Sequence, residues 1–97
     1  MEVGATWTSG QVIFYNRSVR VQGEVHATES SLSGCRYTKA TVLGITKQSA
    51  IACNETKPFQ LDFPADVLGG AAYADVSFWD YRGDRPDLEL RSQRIAR

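Results

Sequence analysis

Four groups of residues in this chain could do chemistry or make contacts: a single histidine, two cysteines, a segment rich in aspartate and arginine, and a set of aromatics at alternate positions. His26 falls among the outward positions of an alternating run, the ordinary place for a solvated side chain. Nucleophilic catalysis needs a base within hydrogen-bond reach of the nucleophile, and no Gly-x-Ser-x-Gly turn accompanies His26. Paired-carboxylate hydrolysis needs two acids facing across a cleft, for which 97 residues leave little room. The sequence reads as a non-enzymatic protein with no cofactor.

The segment from Asp80 to Asp87 carries two motifs. Arg82-Gly83-Asp84 is the tripeptide that integrin-binding loops display from a tight turn, and it is also ordinary hairpin-tip composition. Asp80, Asp84 and Asp87 together supply oxygen ligands of the kind that hold calcium. Arg82 and Arg85 stand among them and compete for the same carboxylates, so a charge-paired turn without metal is expected. Immediately before it, Tyr73 and Trp79 share the outward parity of one run and Tyr81 lies at its end. Outward aromatics beside arginines make a binding patch for protein or sugar. The other reading of that parity is burial under a second sheet or a loop. The candidate binding residues are therefore Tyr73, Trp79, Tyr81, Arg82 and Asp84.

Cys35 and Cys53 lack the paired spacing of a zinc site. Two cysteines in a short, strand-rich chain suit a disulfide and an oxidising compartment; the alternative is two buried thiols. Asn16-Arg17-Ser18 and Asn54-Glu55-Thr56 are glycosylation sequons as well as turn chemistry. Eleven acidic and eleven basic residues balance, which argues against a nucleic-acid partner. No run approaches the ~20 apolar residues of a membrane helix. The start, Met1 to Trp7, lacks the basic and apolar regions of a signal peptide, as expected of a mature domain expressed without its leader.

The elements that must position these residues are strands. Ser18 to Ala27 alternates cleanly, with Val19, Val21, Val25 and Ala27 inward and Arg20, Gln22, Glu24 and His26 outward. Gly23 on the inward parity implies a bulge or a close approach by the opposite sheet. Gln11 to Tyr15 precedes it across a turn at Asn16-Arg17. Residues 29–34 are a polar loop, and Cys35–Leu43 and Gln48–Cys53 fold about Gly44 as a hairpin that sets Cys35 opposite Cys53. Phe59, Leu61 and Phe63 form a strand bracketed by Pro58 and Pro64. Ala72 to Trp79 places Ala72, Ala74, Val76 and Phe78 inward, so that Val21 and Phe78 belong to one core. Leu88 and Leu90 mark a last strand, followed by a frayed basic tail over residues 91–97.

About seven short antiparallel strands with polar turns indicate an all-β, two-sheet sandwich spanning residues 1–97 as a single domain with one disulfide. The strand order, and Pro64-x-Asp66 leading through Gly69-Gly70 to Tyr73 and Val76, resembles immunoglobulin-like and fibronectin type III-like domains. That resemblance implies a corner role for Tyr73, whose hydroxyl would bond back to the preceding loop. Cys35 and Cys53 lie too early for the inter-sheet immunoglobulin pair. The expected function is a monomeric, secreted or cell-surface binding module for a protein or glycan. A secreted protease or glycosidase inhibitor and a structural spacer domain are the alternatives.

Overall fold

The computed structural model describes the chain apart from residues 4–5, 28–34, 67–69 and 83–85 and the side chains of residues 2, 3 and 6. Nine strands run in chain order: β1 Glu2–Val3, β2 Thr6–Phe14, β3 Ser18–Ala27, β4 Cys35–Val42, β5 Ile45–Gln48, β6 Ala52–Cys53, β7 Glu55–Pro64, β8 Tyr73–Asp80 and β9 Leu88–Ala96. They form two antiparallel sheets, β1-β2-β3-β7 and β5-β4-β8-β9, with β6 also paired to β4. The expected all-β sandwich is observed, and the described residues contain no helix. The two strands beyond the expected seven are the short β1 and a division of the run ending at Cys53.

β3 and β8 follow their sequence alternation because each has one face on the core. Val19, Val21, Val25 and Ala27 are buried from β3, and Ala74, Val76 and Phe78 from β8. Ala72 does not join them: it is exposed and precedes β8, and its carbonyl accepts a hydrogen bond from the Arg97 amide. Val21 and Phe78 are both buried, in two adjoining clusters bridged by Met1 and Phe59.

β2 begins at Thr6, five residues ahead of the expected start, because its ladder with β3 continues to Trp7 opposite His26. Gly23 does meet a close backbone, but that backbone is the neighbouring β2 at Gly10 rather than the opposite sheet, and the ladder is continuous there. Pro58 lies inside β7 rather than before it, which is tolerated because β7 is an edge strand.

The expected disulfide between Cys35 and Cys53 is present, joining β4 to β6. Its register depends on one additional residue. The hairpin turns at Leu43-Gly44, both at positive φ (50° and 81°), and pairs Val42 with Ile45 and Lys39 with Gln48. Continued unchanged, that register would bring Ala52 opposite Cys35. Between Gln48 and Ala52 the returning chain gains a residue, so Arg36 faces Ala52 and Cys35 faces Cys53. Ser49 secures the irregularity: its amide donates to the Thr38 carbonyl (2.8 Å) and its Oγ accepts from the Thr38 amide (3.0 Å). A cross-link closing a loop of this size contributes about 3 kcal/mol, mostly through the unfolded chain.

The C-terminal segment is not a frayed tail. β9 runs to Ala96, and a shift in its pairing with β8 between Phe78 and Trp79 reverses the inward parity beyond Leu90. Arg94 then bonds Asp75 through Nε (2.8 Å) and Nη2 (3.1 Å), and Arg97 donates to the Tyr15 carbonyl.

Candidate functional site

β8 presents two of the candidate residues, Tyr73 and Trp79, on the outer face of the β4-β8-β9 layer. Trp79 is half-buried, with Tyr37 directly opposite on β4 and their rings stacked at 6.3 Å and 13°. Its indole Nε1 donates to Ser77 Oγ (2.7 Å), and the Lys39 ammonium lies 4.1 Å from its ring centre. An open cleft of about 310 Å³ adjoins Trp79, lined by hydroxyls of Thr41, Ser77 and Ser92 and by the charged groups of Lys39, Asp75 and Glu89.

Tyr73 shares this face, but it stands six residues along the strand from Trp79, about 20 Å at the usual rise. It is 43% exposed, and the Arg94 guanidinium packs 4.0 Å from its ring centre. The sheet therefore carries an aromatic at each end with polar residues between. Tyr81 is exposed just beyond β8, its amide bonded to the Cys35 carbonyl. Arg82 is half-buried just beyond β8, with Nε 3.5 Å from the Asp80 carboxylate, and so is charge-paired. Asp84 lies outside the described residues, as do Gly83 and Arg85, and with them most of the integrin-type tripeptide. Of the two other carboxylates weighed as calcium ligands, Asp80 pairs with arginines and Asp87 with Tyr37.

Two features of this end of the molecule add to the sequence expectations. Tyr37 has the outward parity of β4 yet is only 1% exposed. The chain beyond β8 brings Asp87 against it, and the phenol donates to Asp87 Oδ2 at 2.5 Å while Oδ1 accepts from the Arg82 amide. Burial, then the bond to Asp87, pushes the Tyr37 pKa upward. The bonds from Tyr37 and from the Arg82 amide hold the Asp87 carboxyl below its usual value. Second, Asp80 continues the inward parity of Ala74, Val76 and Phe78, and its Oδ1 meets Arg36 Nη1 at 2.7 Å as a buried ion pair.

The pH consequences have opposite signs. A depressed Asp87 contributes stability present above the ordinary carboxylate value and lost as pH falls through its lowered value. A raised Tyr37 contributes stability that is complete below pH of about 10 and declines above it, by roughly 1.4 kcal/mol per pH unit until the folded phenol ionises. Tyr37→Phe is expected to cost about 1–2 kcal/mol at neutral pH and to remove that alkaline decline. Urea melts of both proteins from pH 8 to 11 check this; parallel pH profiles would show that Tyr37 ionises equally in both states.

A second open groove, on the outer face of β2, β3 and β7, is lined by Gln11, Gln22 and Gln60. Glu24, Pro58 and Phe59 also line it; elsewhere on this sheet Trp7 stacks on His26, whose Nδ1 meets Thr56 Oγ1 at 2.6 Å. Comparison with protein-family models, with curated proteins and with solved structures returns no match to this chain.

Proposed function

We propose that the protein is a non-enzymatic, extracellular binding module that holds a glycan on the outer face of β4, β8 and β9. The observation carrying this reading is the setting of Trp79: its ring is braced by Tyr37, its indole nitrogen is bound by Ser77, and a hydroxyl- and carboxylate-lined cleft opens beside it. Fixed aromatics supply contact area with little conformational entropy to lose, and the surrounding oxygens and Lys39 match a hydroxyl-rich ligand. Lys39 covers the ring in the free protein, and its flexible stem lets it swing aside and donate to the ligand. Charged linings of this kind are depleted at the centres of protein interfaces, which favours a sugar over a protein here. The disulfide supports secretion.

The test is a glycan array probed with the oxidised protein, followed by titration of any captured glycan. Trp79→Ala is expected to weaken binding by about tenfold or more, equivalent to ~1.4 kcal/mol, with Lys39→Ala also weaker. Full binding by Trp79→Ala, or capture of no glycan, would overturn the proposal.

The inhibitor reading is favoured by one separate observation. Leu43, at the tip of the disulfide-stapled hairpin, is 51% exposed and adopts φ of 50°, while Ile45 beside it is 38% exposed. Asparagine or glycine suits such a turn better than leucine. Leu43→Asn should therefore stabilise the protein by about 0.5–1 kcal/mol in a thermal melt, on the scale of other turn-residue effects. If the tip docks into a hydrolase, the same change abolishes inhibition; a destabilised variant would mean that Leu43 is packed in the native state.

A further inference from the structure

We infer that the space between the sheets beside the Gly10–Gly23 pair is a second binding site, for a small uncharged apolar molecule with one hydrogen-bonding end. Gly10, Gly23 and Phe59 form one cross-strand row of β2, β3 and β7. The row has core parity, since Thr8 is buried in the same phase of β2 and Val21 and Val25 flank Gly23. Two of its three positions send no side chain inward.

The local backbone allows nothing larger. A Cβ on Gly10 would lie 2.0 Å from the Gln22 carbonyl oxygen, and one on Gly23 would lie 1.9 Å from that of Ser9. Gly10 also adopts φ of 154°, which side chains rarely permit. The apposed backbones of β2 and β3 therefore require glycine at both positions. Gly10 lines a half-open pocket of about 300 Å³ with apolar walls from Met1, Val12, Val21, Phe59, Val76 and Ile95. Beside it the core divides: Val21 and Val76 belong to one cluster and Val25 and Phe78 to the other, with Met1 and Phe59 touching both.

This volume reaches the lower end of the range for ligand pockets, about 300 Å³, and an apolar cavity of about 150 Å³ already admits benzene. No charged side chain lines it among the described residues, while Gln93, opposite the inward-facing Val76 on β9, supplies a neutral donor and acceptor. The Met1 ammonium is bonded to the Thr8 carbonyl at 2.7 Å. An ionised headgroup loses hydration against these apolar walls, a cost that an alcohol does not meet. Met1, with its adaptable thioether, is suited to close over different shapes. The site is separate from the Trp79 cleft, which lies on the outer face of the other sheet.

Titration of 1-octanol and of octanoate into methyl-labelled protein tests the assignment. Octanol is expected to give saturable shifts at Val12, Val21 and Ile95 and to raise the melting temperature, with octanoate at least about tenfold weaker. Val12→Phe should occupy the space and abolish the octanol shifts. Val76→Ile, a smaller addition, should raise the melting temperature of the free protein by occupying part of the void. The inference is overturned if octanol produces no saturable shift, if shifts centre on the Thr41 and Thr46 methyls of the Trp79 cleft, or if octanoate binds as well as octanol. A lower melting temperature for Val76→Ile would equally overturn it, by showing a closely packed interior.

Discussion

Asp80→Ala is expected to lower stability by about 3–5 kcal/mol, the range found when one partner of a buried ion pair is removed. The change takes the carboxylate from an Arg36 side chain that is only 7% exposed. It also removes the partner of Arg82 at the start of the segment that brings Asp87 over Tyr37. Replacing both members, as Arg36→Met with Asp80→Leu, should cost far less than Asp80→Ala, because no charge is then left in the interior. Urea melts of the three proteins make the comparison. A loss under about 1 kcal/mol for Asp80→Ala would mean that other groups or water satisfy the guanidinium.

Phe78→Ala should be comparably severe, about 3–5 kcal/mol, because it empties a fully buried aromatic site. Phe78 is 0% exposed and packs with Val25, Ala27 and Ala52, the last adjoining the disulfide-bonded Cys53. The disulfide anchors Ala52 on β4 and limits how far the site can collapse, which favours the upper part of that range. Thermal and urea melts with the disulfide intact measure the loss. A value under about 1 kcal/mol would mean that Phe78 is not a core residue in solution.

Strands with one face on the core were legible in the sequence, since alternation in β3 and β8 records that burial directly. Asp80 was also within reach: it continues the phase of Ala74, Val76 and Phe78, but a carboxylate suggests a turn unless its arginine is seen opposite. Tyr37 was out of reach, because its burial depends on Asp87, fifty residues away in the chain. β9 misleads for a different reason. Its pairing shift at Phe78/Trp79 breaks the two-residue period, so Leu88 and Leu90 do not predict the inward turn of Ile95. The hairpin shows both outcomes: a fold about Gly44 correctly set Cys35 opposite Cys53, while the additional residue that achieves it was invisible. Of the candidate binding residues, outward parity located Trp79 and Tyr73, and Ser77 shares that parity on the same strand, but Lys39 beside Trp79 emerges only from the pairing of β4 with β8.

The two prolines of β7 bear on how this protein behaves when crowded by copies of itself. A proline within a continuous ladder sits where its nitrogen points away from the partner strand. Pro58 and Pro64 share one parity, so both present their missing N–H to the open edge of the sheet. An incoming strand would find two donor positions absent along this ten-residue border. Such gaps interrupt the unbroken hydrogen-bond row on which fibril growth propagates. The border is thereby a poor template for amyloid, a useful property in a chain built almost entirely of strands.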